Sequence, residues 1–172
     1  MSTILVTGYR SFELSIFSDK DPKIEVIKKA IKKELLRYLD EGAEWFILTG
    51  NLGFEYWFLQ VAKDLQKSYQ FQIATIFLTK NVGENWNEAN QLKLTEFKTT
   101  DFVKYSFDHY ESINQIKQYQ TFLINNTDQS FVFYDEDAET NLKYFVAEMK
   151  HNKGYYVNQL TFEKLNDIMD EE

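Results

Sequence analysis

The stretch Thr49-Gly50-Asn51-Leu52-Gly53-Phe54-Glu55 sets two glycines and a carboxylate between an apolar run and an amphipathic one. That combination suits the binding of a small molecule. A glycine backbone lets a ligand approach closely, and a helix start behind it offers unpaired N–H donors. Glu55 falls on the first turn of the following helix, about 100° around from Phe54 and off its clearest apolar stripe. A carboxylate there accepts hydrogen bonds from hydroxyls and repels a phosphate held at the same amides. The pattern therefore predicts the sugar or base end of a nucleotide over the glycines. Arg10, in Thr7-Gly8-Tyr9-Arg10, supplies a planar guanidinium that matches phosphate. Gly50-x-x-Gly53 is neither the dinucleotide pattern nor a P-loop. A tight turn with Asn51 as helix cap, and Glu55 merely favoured by the helix dipole, accounts for it equally well.

Other residues offer less. Trp86 has an aromatic face that a nucleobase could stack on, but among 15 Phe, 11 Tyr and 3 Trp most must be core. Tyr9 follows Gly8 directly at a strand end and is the better contact. Trp57 fits a helix stripe and reads as packing. Asp135 opens Asp-Glu-Asp-Ala-Glu, where a magnesium contact, a ribose contact and a solvated loop all fit. Thr140 and Val146 stand where a calcium loop needs glycine and glutamate, which rejects that motif. His109 and His151 lack ligand spacing, no G-x-S-x-G marks a serine nucleophile, and there is no cysteine. No metal site and no complete catalytic set emerge.

Composition narrows the partners. The chain has 172 residues, 44% of them apolar, with 19 Lys+Arg against 27 Asp+Glu and a formal charge of −8. One folded domain over 1–172 is the simplest reading. The negative surface disfavours nucleic acid and anionic membrane. Lys28, Lys29, Lys32, Lys33 and Arg37 make a basic helix face that reads as a solvated surface. The opening residues are too quickly polar for a signal peptide, and no run approaches the roughly 20 apolar residues of a membrane span. A cytoplasmic protein is expected. The many aromatics allow a protein partner or self-association.

The elements that must position these residues follow from periodicity. Strands are expected at Thr3–Thr7, Trp45–Thr49, Gln72–Leu78, Ser130–Tyr134 and Tyr155–Leu160, with a half-exposed or edge strand at Asp101–Phe107. A helix starting at Pro22 carries Ile24, Ile27, Ile31, Leu35 and Tyr38 on one face, with Gly42 just beyond its end. A second carries Phe54, Trp57, Phe58, Val61, Ala62 and Leu65. Further helices are expected over 87–97, 115–125, 141–150 and 162–169. Continuous apolar strands alternating with amphipathic helices predict an α/β, Rossmann-like three-layer sandwich with a mainly parallel central sheet. Strand order does not follow from periodicity.

The ordered blocks "ILVTGYRSFELSIF", "WFILTGNLGFEYW", "ATIFL…NWNEAN" and "FVFYD…LKYF" resemble the YpsA family of bacterial proteins over nearly the whole chain. That family belongs to the SLOG superfamily, beside the DNA-processing protein DprA and the LOG phosphoribohydrolases. The resemblance implies a nucleotide-type ligand over the glycine motif, with Gly53 and Glu55 in the binding motif and Trp57 in the same block. It also implies an association with bacterial cell division and stress responses. LOG enzymes carry P-G-G-x-G-T-x-x-E, whereas here the glutamate follows the second glycine by two positions instead of four.

The combined expectation is a nucleotide or ADP-ribose-like binding protein with a sensor or regulatory role. Gly8, Tyr9 and Arg10 form one wall of its site, Gly50, Asn51, Gly53 and Glu55 the floor, and Trp86 and Asp135 contribute from the sides. The alternatives are a LOG-like hydrolase of nucleotide N-glycosidic bonds, for which Glu55 is a candidate carboxylate without an acid–base partner, and a protein-interaction module whose pocket has become structural.

Overall fold

A computed structural model describes residues 2–171. Within them six strands form one sheet: β1 Ser2–Gly8, β2 Ala43–Leu48, β3 Gln72–Thr79, β4 Phe102–Phe107, β5 Gln129–Phe133 and β6 Tyr156–Leu160. Their order is β4-β3-β2-β1-β5-β6, and every neighbouring pair is parallel. Six α-helices alternate with them: α1 Pro22–Asp40, α2 Phe54–Leu65, α3 Glu88–Phe97, α4 Ile113–Asn125, α5 Leu142–His151 and α6 Phe162–Asp170. The chain steps outward from β1 to β4, returns across the sheet to β5, and ends at β6. Right-handed crossovers then place α1, α2 and α3 on one face and α4 and α5 on the other. α1 packs against both α2 and α6. The result is the Rossmann-like three-layer α/β arrangement.

Local chemistry sets most boundaries. Asp21 caps α1, its carboxylate accepting from the Lys23 amide (2.9 Å), with Pro22 at the first helical position where its missing N–H costs nothing. Asn87 and Thr161 cap α3 and α6 in the same way. α4 begins at Ile113, two residues before the periodicity suggests. Gln115 reaches back to accept from the Glu111 amide (2.6 Å) and closes a capping box with Ser112.

The core extends over both faces of the sheet, and β1, β5 and the start of α2 lie within it. Ile4, Leu5, Val6, Phe131, Val132 and Phe133 are all buried, as parallel strands covered on both faces require. Phe54 meets Phe131 and Phe133 edge-on, with both ring centroids at 5.5 Å. α2 departs from the single stripe that its spacing suggests: Phe54 to Leu59 are buried without a break, including Glu55. The first half of α2 is sunk into the core while Gln60, Lys63 and Asp64 keep a polar face on the second half, and that burial fixes what Glu55 can face.

Candidate functional site

In an open parallel sheet, ligands gather beyond the carboxyl ends of the strands, above all where the strand order reverses. Here the reversal lies between β1 and β5. Tyr9 fills that crevice. It is 1% exposed, its ring stacks on Phe162 and meets Phe133 edge-on, and its hydroxyl donates toward the carbonyls of Asp135 (3.0 Å) and Ala138 (2.8 Å). The Asp135 amide donates back to the same oxygen at 2.8 Å. Burial pushes the Tyr9 phenol up to about 12. Tyr9 therefore clamps the β5–α5 loop and does not wall an open pocket.

The glycines serve close packing. A Cβ on Gly8 would fall 2.6 Å from the Phe54 ring, and one on Gly50 would fall 2.2 Å from the Phe77 ring. Gly53 has φ +98°, and a Cβ there would lie 2.5 Å from the Ser11 amide nitrogen and 2.7 Å from the Tyr9 carbonyl oxygen. The Phe54 amide donates to that same carbonyl at 3.0 Å. The loop after β1 thus sits directly on the loop after β2, backbone to backbone, and only glycine leaves room for it.

Glu55 turns inward beneath these loops. It is 0% exposed and accepts from the amides of Thr49 (2.7 Å) and Gly50 (3.0 Å), from the Thr7 hydroxyl (2.9 Å) and from the Thr49 hydroxyl. Burial raises its pKa, while these four donors oppose the rise. The expectation that Glu55 accepts hydrogen bonds from a ligand is corrected by this geometry. Its carboxylate is a tie between the tips of β1 and β2. Asn51 does not cap α2 either. Its side-chain amide donates to the Thr49 hydroxyl at 3.0 Å, and Gly53 stands at the cap position without a side-chain bond.

What faces outward is smaller than the nine residues expected. Arg10 is exposed, and its guanidinium makes no ion pair or hydrogen bond among the described residues. Asn51 and Leu52 are half-buried, and their amides likewise donate to nothing among the described residues. Asp135 is half-buried and committed, accepting from the amides of Asp137 (2.9 Å) and Phe162 (3.1 Å). Trp86 packs over Gly83 and Leu94 on the loop after β3.

Phe12, which sequence reasoning passed over, is 61% exposed on the 3-10 turn Ser11–Leu14 that follows Arg10. Phe12 shares its short segment with Leu14, Ile16 and Phe17, and so few apolar residues do not tell which of them faces outward. Thr7 and Thr49 were missed as well. Their placement at the ends of two adjacent strands, each before a glycine, is the signal that could have found them.

A doubly wound parallel sheet with glycine-bound loops stacked at its strand tips defines a Rossmann-like α/β protein of the SLOG type. The chain belongs to the YpsA family, whose model, described as the "YspA SLOG family", matches residues 4–165. It is 59% identical to a UPF0398 protein of Streptococcus agalactiae serotype Ia over 170 residues, covering 99% of each chain. It is 57% identical over 171 residues to a UPF0398 protein of Streptococcus uberis, covering 99% of this chain and 98% of that one. A UPF0398 protein of Streptococcus thermophilus is 56% identical over 171 residues, matched along its whole length. Among the described residues, no helix is long and apolar enough to cross a membrane, and no group of three or more His, Cys, Asp or Glu could hold a metal.

Proposed function

We propose that the chain binds a nucleotide or nucleotide-derived sugar, of the ADP-ribose kind, at the tips of β1 and β2, and acts as a sensor or regulator. One observation carries the reading. The only carboxylate in the glycine motif is turned inward, so the outer face of that loop offers the amides of Asn51 and Leu52, and the loop that packs on it at Gly53 carries the exposed Arg10. Backbone donors at a helix start and a planar cation together suit phosphate oxygens. The charge repulsion that would push phosphate away from Glu55 is weakened by its burial and by its four internal bonds. Superfamily membership agrees with a nucleotide ligand.

The hydrolytic alternative gains nothing from the geometry. A carboxylate that stabilises an oxocarbenium must face the sugar, and both oxygens of Glu55 are held by the protein. The test is calorimetric titration of AMP, ADP and ADP-ribose against wild type and Arg10→Ala. The variant is expected to fold normally, because Arg10 is exposed and unpaired, and to bind at least about tenfold more weakly, as loss of a charge-assisted contact implies. Equal affinities, or no binding to wild type, would remove the reading.

A further inference from the structure

The sheet ends on two strands with an open side, β4 and β6. Such a side presents main-chain N–H and C=O groups that another strand can take up. β6 guards its own. The Leu160 carbonyl points inward and accepts from the Tyr134 amide (3.2 Å), so the alternate residue Gln159 points outward, where its carbonyl accepts from the Lys164 ammonium (2.5 Å). β4 has no such guard at its centre. The Asp101 amide donates to the Ile73 carbonyl (2.8 Å), and the Phe107 carbonyl accepts from the Lys80 amide (3.0 Å). Residues 101, 103, 105 and 107 therefore turn their main chain to β3. In a parallel ladder each residue sends both groups to one side, so the residues between turn theirs away. The Phe102 carbonyl receives the Thr100 hydroxyl (3.3 Å), whereas the amides and carbonyls of Lys104 and Ser106 meet nothing among the described residues.

The side chains of this edge do not turn a strand away either. A lysine at the centre of an edge commonly blocks pairing, but the Lys104 ammonium is drawn over the Phe122 ring of α4, 4.4 Å from its centroid. The other face of β4 carries Val103, Tyr105 and Phe107, each half-buried against the core, with the Tyr105 ring stacked on Phe77. That apolar row is symmetric about Tyr105, which is what pairing with its own copy needs.

We infer that β4 pairs antiparallel with β4 of a second copy, joining two sheets into one across a two-fold axis. Outward groups meet outward groups only when the axis passes through a residue, and the side chains choose which. With the axis at Lys104, that lysine stands directly opposite itself, where like charges destabilise. With the axis at Val103, Ser106 falls opposite Thr100, outside the strand. With the axis at Tyr105, Val103 faces Phe107 of the second copy and Tyr105 faces its counterpart. Lys104 then faces Ser106, and each such pair exchanges two main-chain hydrogen bonds. Charges agree with this register. Asp108 of the second copy lies one pair beyond Ser106, within a lysine's reach of Lys104, and Asp101 meets His109 just past the strand ends. No like charges stand opposite one another. The surface is separate from the strand tips and stands without the ligand reading.

Sedimentation equilibrium of the whole chain is expected to show a monomer–dimer equilibrium with a Kd at or below about 100 μM, since one strand pair is a small interface. Hydrogen exchange at the Lys104 and Ser106 amides should slow as the dimer fills, while the Val103 and Tyr105 amides are protected at every concentration. Ser106→Pro removes an outward donor without touching the ladder to β3, and is expected to weaken the dimer about tenfold or more. The chain has no cysteine. Tyr105→Cys therefore places a single thiol on the axis, where paired Cα atoms stand about 4.5 Å apart and a disulfide fits. It should cross-link on oxidation with diamide, and Asp64→Cys, exposed on α2 beside α1, should not. A wild type that stays monomeric well above that concentration overturns the inference and leaves the edge to a strand of another protein. It is overturned equally by a dimer in which Lys104 and Ser106 exchange is unchanged, by a Ser106→Pro dimer as tight as wild type, or by Tyr105→Cys cross-linking no better than Asp64→Cys.

Discussion

Replacing Glu55 tests whether the glycine motif is held together by one buried acid. In Glu55→Ala, four donors lose their acceptor: the amides of Thr49 and Gly50 and the hydroxyls of Thr7 and Thr49. The hydroxyls can rotate to other partners, but the two amides are fixed by the end of β2. At about 1–3 kcal/mol for each orphaned buried donor, the loss is roughly 2–6 kcal/mol. That is a large share of the roughly 5–15 kcal/mol that stabilises an ordinary domain. Glu55→Gln keeps one oxygen for the two amides and turns its NH₂ to the two hydroxyls, which can accept. It is expected to stay within about 1.5 kcal/mol of wild type, since a weaker hydrogen bond is offset by removal of a buried charge.

The pH dependence separates the two contributions. Burial raises the pKa of Glu55 above its ordinary 4.5. The folded protein therefore holds this proton more tightly than the unfolded chain. The associated stability is full below pH 4.5 and declines as pH rises through the raised value. Urea unfolding followed by the fluorescence of Trp45 and Trp57 at several pH values from acid to mildly alkaline reads all three proteins. Above pH 4.5, Glu55→Gln should gain on wild type as pH rises, and Glu55→Ala should be the least stable throughout. An alanine variant within about 1 kcal/mol of wild type, below the cost of even one orphaned donor, would refute the tie. A glutamine variant that loses ground with rising pH would refute the direction of the shift.

Two further substitutions probe the seating of the loops. Gly53→Ala must place a Cβ 2.5 Å from the Ser11 amide at φ +98°, so strain and overpacking together should cost on the order of 2–6 kcal/mol. Gly154→Ala, at φ +85° with nothing within 4 Å, should lower stability by only about 1 kcal/mol. Equal thermal shifts for the two would show that the loops do not press on one another. Tyr9→Phe removes the acceptor of the Asp135 amide and the donor to two carbonyls, for about 1–3 kcal/mol. Faster hydrogen exchange at the Asp135 amide checks this, and unchanged exchange would release Tyr9 from its clamping role.

The amino-acid sequence by itself determined the layers. Ile4, Leu5 and Val6 in a row, and Ile24, Ile27 and Ile31 at helical steps, state which face of each element is buried, because side-chain direction repeats with the backbone. Asp21-Pro22 marked a helix start through contacts within three residues. The alternation over Asp101–Phe107 marked β4 as a half-exposed or edge strand, and the sheet order puts it at one edge. Only the tertiary structure decided the order of the strands and the direction of the polar groups at their tips. Thr7 and Glu55 are 48 residues apart and meet because β1 and β2 pair in a register that brings the ends of both strands together. Tyr9 and Asp135, 126 apart, meet because β5 pairs with β1. A polar side chain beside a turn has the same local pattern whether it faces water or another strand's tip, and long-range packing settles which.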